Sequence, residues 1–409
     1  MEAKKRNFEA KLLNLLEWFP AVAIVGPRQS GKTTLAQKVK KNWSYYDLEN
    51  IDTLNRISSD PNFFFSQNKS NLILDEAQIY PDLFKTLRGV IDEDRKKMGR
   101  FILTGSSSPE LLKNISETLP GRIAVIELGT FKFNEWEEKE LSPFYKLFDK
   151  GTPSDLIGSN YKIENNKILN FWFKGSFPDP SLMESDNQRS IWMDNYISGY
   201  INRDIKNLFP RLDSTKFQRF LLMLFKLSGT IINKRELSQL IEVSEPSIKD
   251  YLDIIHGTFI WRKIPPFEYN IKKLITKMPK GHVRDSGLLH HALKLTSLKS
   301  LIENPIVGKS FESFVIEEIL KGIESTMISN WTYHFYRTKS KIEIDLILHG
   351  PFGIIPIEIK FGMRIDQRKL SNLKTFIKEH DLPYGILINN NSKVEWISDK
   401  VLQIPVGFL

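Results

Sequence analysis

The stretch GPRQSGKTT at residues 26–34 decides how the first third of this chain folds. Residue by residue it reads Gly26, Pro27, Arg28, Gln29, Ser30, Gly31, Lys32, Thr33 and Thr34. Before it runs the short apolar segment AVAIV (21–25), of buried-strand type; after it, residues 33–40 continue with helical character. A glycine-rich turn between a strand and a helix surrounds an anion with backbone N–H groups at the positive end of the helix dipole. Gly26 and Gly31 allow close approach and unusual dihedrals. In such a turn Lys32 reaches the β- and γ-phosphates of a nucleotide and the Thr33 hydroxyl sits on Mg²⁺. The nine residues 26–34 are therefore expected to line a site for ATP and Mg²⁺.

Two further strand ends agree with this. LILDE (72–76) is an apolar run closing on two carboxylates. Asp75 is placed to hold the metal, and Glu76 to polarise the attacking water. FILTGS (101–106) ends in small polar residues, and Thr104 is expected either to contact the γ-phosphate or water, or only to cap the strand. Arg122, in LPGR (119–122), reads either as an arginine finger acting on a neighbouring subunit, which would make the protein a homo-oligomer, or as a surface salt bridge. Strands near 22–25, 44–47, 72–75, 101–104 and 123–128 with helical connections predict a parallel α/β sheet, its site at the carboxyl ends of the strands.

At 409 residues the chain exceeds one ordinary core, so two or three domains are expected. No segment approaches a membrane span, and the N-terminal stretch reads as an amphipathic helix through Leu12, Leu13, Leu15 and Leu16 rather than a signal peptide. With no cysteine, disulfides and thiolate zinc sites are excluded, and a cytoplasmic location fits. The net charge of +9 is uneven. Residues 1–200 hold 27 basic and 27 acidic side chains, whereas 201–409 hold 31 and 22. The densest basic part is 260–300, with Arg262, Lys263, Lys272, Lys273, Lys277, Lys280, Arg284, Lys294 and Lys299. Such a distribution points to a polyanion, most simply DNA; a solvated basic surface is the alternative.

Residues 131–215 are aromatic-rich and read as a helical lid or connector after an ATPase domain at 1–130. Residues 216–268 read as a winged helix, with helices at 235–240 and 245–255 and a wing strand at 259–264. Its second helix carries Glu245, Asp250 and Asp253 against Lys249, which phosphates would repel, so a packing or protein-contact role is favoured there. In the last segment, 269–409, EIDLIL (343–348) and IIPIEIK (354–360) flank a turn. Paired as a hairpin, they set Asp345 opposite Glu358 and Glu343 opposite Lys360 on one face. Opposed carboxylates repel, and a divalent cation between Asp345 and Glu358 would remove that penalty. Lys360 beside it would orient water, and Glu312 offers a third carboxylate. Exposed charges on an edge hairpin are the alternative.

The blocks GPRQSGKTTL, LILDEAQ, ILTGSSS, LPGR, YINRDI (200–205), KIPPF (263–267), RDSGLL (284–289), GKSFESFV (308–315) and EIDLIL with IEIK span nearly the whole chain. Through them the chain resembles a bacterial and archaeal family of AAA-type P-loop ATPases. That family carries a C-terminal domain of unknown function related to PD-(D/E)XK nucleases. The resemblance implies a sheet in the order 5-1-4-3-2, with Asp75 and Glu76 as metal and catalytic acids. It further implies that Glu312, Asp345, Glu358 and Lys360 form a nuclease-like site, with ATP and Mg²⁺ as cofactors. The expected function is an ATPase whose nucleotide state controls that domain on DNA, or a switch that binds DNA or protein without cutting.

Overall fold

Strand β1 (Ala21–Gly26) is buried at every position, because it lies inside a sheet and hydrogen-bonds on both sides. The computed structural model in which it is seen describes residues 3–106, 114–115, 117–161, 163–206, 209–210, 212–268, 278–338, 342–364 and 367–409. The chain divides into two units, the first comprising Met1–Phe131 with Gly257–Phe259 and Glu324–Thr326.

In this first unit β1 is joined by β2 (Ser44–Asp47), β3 (Leu72–Asp75), β4 (Phe101–Ser106) and β5 (Ile123–Glu127). The order β2-β3-β4-β1-β5, with all neighbours parallel, is the 5-1-4-3-2 arrangement expected. Parallel strands covered on both faces need continuous apolar runs, which AVAIV and LIL supply. One face packs Leu83, Leu87 and Ile91 of the helix Leu83–Glu93; the other packs Phe8, Leu12, Leu15 and Leu16 of the helix Phe8–Trp18. Leu13 departs from the predicted stripe and stands 41% exposed.

The second unit comprises Lys132–His256, Ile260–Ile323 and Met327–Leu409. Here the helices Lys234–Ile241 and Glu245–Gly257 are joined by a tight turn at Glu242, whose φ of 59° is left-handed. Asn233 caps the first of them. Ile248, Tyr251, Ile254 and Ile255 turn inward, leaving Glu245, Asp250 and Asp253 exposed. Strands β6 (Thr230–Ile231), β7 (Trp261–Ile264) and β8 (Lys280–Val283) form a small antiparallel sheet in the order β6-β8-β7. The strand expected at 259–264 therefore starts two residues later, after Phe259 takes a left-handed φ of 59°.

A six-stranded mixed sheet completes this unit: β9 (Thr332–Arg337), β10 (Glu343–Gly350), β11 (Gly353–Ile359), β12 (Gly385–Asn389), β13 (Glu395–Ser398) and β14 (Val401–Pro405). Its order is β13-β14-β12-β11-β10-β9. β10 and β11 form the expected hairpin, its register running from Gly350 opposite Gly353 to Leu346 opposite Ile357. Gly353, at φ 85°, makes the turn. The apolar side of the helix Gln367–Glu379, with Leu373, Phe376 and Ile377, joins Ile344, Ile347 and Leu387 in one core. Among the described residues no helix is long and apolar enough to cross a membrane.

Candidate nucleotide site

The first unit gathers its polar groups where β1, β3 and β4 end. Gly26 leaves the sheet at φ 153°, and a Cβ there would lie 2.1 Å from the Leu128 carbonyl oxygen, so only glycine fits. Gly31, at φ 89°, precedes the helix Lys32–Val39. Arg6 braces the loop from behind, donating to Ser30 O at 2.7 Å and to Gly129 O at 2.8 Å. Inside the loop Lys32 is buried and donates to Pro27 O at 2.8 Å and Gly26 O at 3.1 Å. Burial lowers its ammonium to about 8, against the opposing pull of Glu76 and Asp75.

Thr33 Oγ1 donates to Asp75 Oδ2 at 2.8 Å, bringing the two expected metal ligands together across 42 residues. Thr104, fully buried on β4, donates to the other oxygen of Asp75 and accepts from the Glu76 backbone N–H at 3.4 Å. Its hydroxyl therefore orients the acidic pair. Glu76 turns the chain at φ 52°. Its Oε2 accepts from Ser106 Oγ at 2.7 Å, from Ser106 N at 3.1 Å and from the Gln78 amide. Burial works to raise the Glu76 carboxyl, but Lys32, Gln78 and Ser106 outweigh it and hold it below the usual range. Asp75 is shifted upward by burial, partly offset by hydrogen bonds from Tyr45 and Thr33.

These groups fit a phosphate chain and its metal. Ser30 Oγ is buried in the loop with no hydrogen-bond partner among the described residues, an orphan donor where an anion would lie. A hydroxyl and a carboxylate 2.8 Å apart are the hard oxygen ligands that Mg²⁺ takes. Pro27, Arg28, Gln29 and Thr34 lie along the same loop and helix start, with Arg28 paired to Glu49 at 3.2 Å.

Sequence reasoning missed several members of this site. Tyr45 on β2 donates to Asp75 Oδ2 at 2.8 Å, Ser106 and Gln78 hold Glu76, and Arg6 braces the loop. Only Ser106 had a signal, as part of the polar end of ILTGS. Arg122 stands apart from the site: its carbonyl accepts from Ala21 N, at the amino end of β1, opposite the loop. Its guanidinium forks onto Asp92 at 2.8 and 2.9 Å.

In the second unit the expected carboxylates also converge. Asp345 and Glu358 are both buried, and Asp345 Oδ2 accepts from Ile359 N at 2.9 Å. Glu343 and Lys360 are only partly buried. An unforeseen cation stands among them. Lys280 of β8, its side chain 4% exposed, lies 2.5 Å from Glu312 Oε1 and 3.4 Å from Glu343 Oε1. Burial opposes its charge, yet Glu312, Asp345 and Glu343 prevail and raise the ammonium above the ordinary lysine range. Among the described residues no group of three acidic or histidine side chains is arranged to hold a metal ion. The Lys280 ammonium thus lies against the Glu312 and Glu343 carboxylates.

The basic stretch 260–300 is also partly internal. Arg262 and Arg284 both pair with the buried Glu317, and Lys280 pairs as above, so three of its nine cations face carboxylates inside the unit. Lys263, Lys294 and Lys299 are exposed, while Lys272, Lys273 and Lys277 lie outside the described residues. Alternating charge along a strand cannot reveal that its partners are buried on another element.

Comparison with known proteins accords with this geometry. Residues 19–137 match a family described as an AAA domain, so the first unit holds an AAA-type P-loop ATPase domain. Residues 165–299 and 307–409 each match a domain of unknown function (DUF8612 and DUF4143). An uncharacterized protein of Mycobacterium tuberculosis is 29% identical over 358 residues, covering 86% of this chain and 74% of its own length. An uncharacterized protein of Haemophilus influenzae is 22% identical over 395 residues, covering 90% and 89%. Among solved structures, the Walker-type ATPase of Pyrococcus abyssi is similar at 14% identity and a TM-score of 0.43, over 70% of this chain and 95% of that one.

Proposed function

We propose that the protein hydrolyses ATP with Mg²⁺ at the first unit, and that its nucleotide state governs how the second unit acts on DNA. The observation that carries the first half is the convergence of Lys32, Thr33, Asp75 and Glu76 at the ends of β1 and β3. Lys32 supplies an ammonium to a phosphate chain wrapped by the loop. Asp75, oriented by Thr104 and Tyr45, and the Thr33 hydroxyl hold the metal, which when bound neutralises developing phosphate charge. Glu76 remains ionised near neutral pH and is positioned to accept a proton from water. Ser106 and Gln78 now occupy its acceptor oxygen, so they set its orientation. Arg122 enters only if a neighbouring subunit uses it, since it lies at the opposite edge of its own sheet.

Turnover should fall to background in Lys32→Ala. In Glu76→Gln it should fall by about 10²–10⁴-fold, the range for loss of a positioned base. Unchanged turnover in either variant sinks the ATPase reading.

Two readings of the second unit remain, each with its own observation. The burial of Asp345 and Glu358 on the paired strands β10 and β11 supports Mg²⁺-dependent cutting of DNA by a nuclease-like fold. The ammonium of Lys280 against Glu312 and Glu343 supports nucleic-acid or protein binding without cutting. The two helices and the small three-stranded sheet support a winged-helix reading of this segment. The acidic exposed face of the second helix favours a protein contact over base reading. A cleavage assay on single- and double-stranded DNA with Mg²⁺ or Mn²⁺, with and without ATP, decides: cutting lost in Asp345→Ala selects the nuclease.

A further inference from the structure

We infer that Lys280 is the resident cation of the acidic centre formed by Glu312, Glu343 and Asp345, standing where a divalent ion would otherwise be required. Three elements meet at this ammonium. Glu312 comes from the helix Val307–Ser325, Glu343 and Asp345 come two residues apart on β10, and Lys280 opens β8. Its Nζ is 2.5 Å from Glu312 Oε1 and 3.4 Å from Glu343 Oε1. A lysine is almost never fully buried unless it is paired, and this one is buried amid carboxylates that otherwise repel one another. An ammonium brings one positive charge and three donors, and here it reaches carboxylates of two different elements.

The lysine is also fixed in place. β8 is the middle strand of its sheet, and Lys280 pairs with Ile231 on one side and Ile264 on the other. Its backbone is held on both sides, and only its side chain reaches the centre. The centre is thus a salt-linked junction of the small sheet, the long helix and the large sheet. This deepens the non-cutting reading of the second unit and does not depend on ATP turnover.

The test uses the full chain without nucleotide, titrated with Mn²⁺ and followed by the loss of the free-ion paramagnetic signal. Wild type and Asp345→Asn should bind Mn²⁺ alike, so that any weak uptake at Thr33 and Asp75 cancels. Lys280→Met should gain one additional site, accompanied by a thermal midpoint that rises with Mn²⁺, and both gains should vanish in Lys280→Met with Asp345→Asn. Mn²⁺ binding in wild type that Asp345→Asn removes overturns the inference, as does a folded Lys280→Met that gains no site. Should Lys280→Met not fold, the comparison of wild type with Asp345→Asn decides alone: equal binding supports the inference and unequal binding refutes it. ATP turnover is read separately in Lys32→Ala and Glu76→Gln, while every Mn²⁺ comparison keeps Lys32, Thr33 and Asp75 intact, so failure of the two readings is distinguishable.

Discussion

His290 occupies a single neutral tautomer, and its surroundings say which. The Phe173 carbonyl, 3.0 Å from Nδ1, can only accept, so Nδ1 carries the proton; Nε2 then accepts from the Ser310 hydroxyl at 2.6 Å. Ser310 in turn accepts from Trp172 Nε1 at 3.0 Å, so each donor of this buried chain has its own acceptor. Burial lowers the imidazole to about 4, well below its ordinary 6.5. Between those values the unfolded chain binds a proton that the folded chain refuses. The stability from this residue is therefore complete above pH 6.5 and is lost as pH falls toward 4, at up to about 1.4 kcal/mol per pH unit. Urea midpoints measured at pH 5 and pH 7 should differ more in wild type than in His290→Gln. Equal differences would exclude this tautomer-bound role. At the same scale, the nucleotide loop was legible because its function is local: consecutive residues carry their own geometry. Tyr45 and Arg6 were not legible, since a tyrosine on an edge strand and an arginine before the first helix gain meaning only when the sheet brings them to Asp75 and Ser30.

The helix Val307–Ser325 shows the same limit for a whole element. Its Glu317 and Glu318, set in the run VIEEIL, read naturally as a solvated stripe, yet both are buried. Glu317 accepts from Arg262 Nη2 at 2.9 Å, lies 3.3 Å from Arg284 Nε and meets His282 Nε2 at 2.9 Å. Burial alone would raise its carboxyl, but Arg262 and Arg284 outweigh it and hold it well below the ordinary range. Removing one partner of a buried ion pair leaves the others uncompensated. Glu317→Ala should therefore destabilise the chain by about 3–5 kcal/mol in chemical denaturation. Glu303→Ala, on an exposed pair with Lys299 at 4.0 Å, should cost less than about 1 kcal/mol. The motif RDSGLL is explained by packing of the same kind. Asp285 caps the helix Ser286–Ala292 through Leu288 N and accepts from Ser176, while a Cβ on Gly287 would meet Lys174 O at 2.2 Å. The block closes helix against helix.

At the scale of the whole molecule, the charge surplus survives the burial of its most conspicuous part. Among the described residues Arg262, Lys280 and Lys321 leave the surface, but the buried Asp285, Glu317, Glu318, Asp345 and Glu358 leave it too, and all eight belong to residues 201–409. The surplus of 31 basic over 22 acidic side chains in that half is therefore undiminished, and it resides on exposed lysines elsewhere, Lys263, Lys294 and Lys299 among them. If the proposed association with DNA is made through them, each neutralised phosphate releases a counterion, and the logarithm of affinity falls linearly with the logarithm of salt. Replacing Lys294 and Lys299 by glutamine should lower the magnitude of that slope by roughly one for each phosphate no longer neutralised, on any DNA sequence. Arg262→Gln, by contrast, should reduce thermal stability while leaving the slope of the folded protein intact, because its guanidinium faces Glu317 and not solvent. Fluorescence anisotropy with a labelled duplex between low and physiological salt reads both. A slope near zero in wild type would move the partner of this half from nucleic acid to protein, the role for which the acidic helix Glu245–Gly257 is already suited.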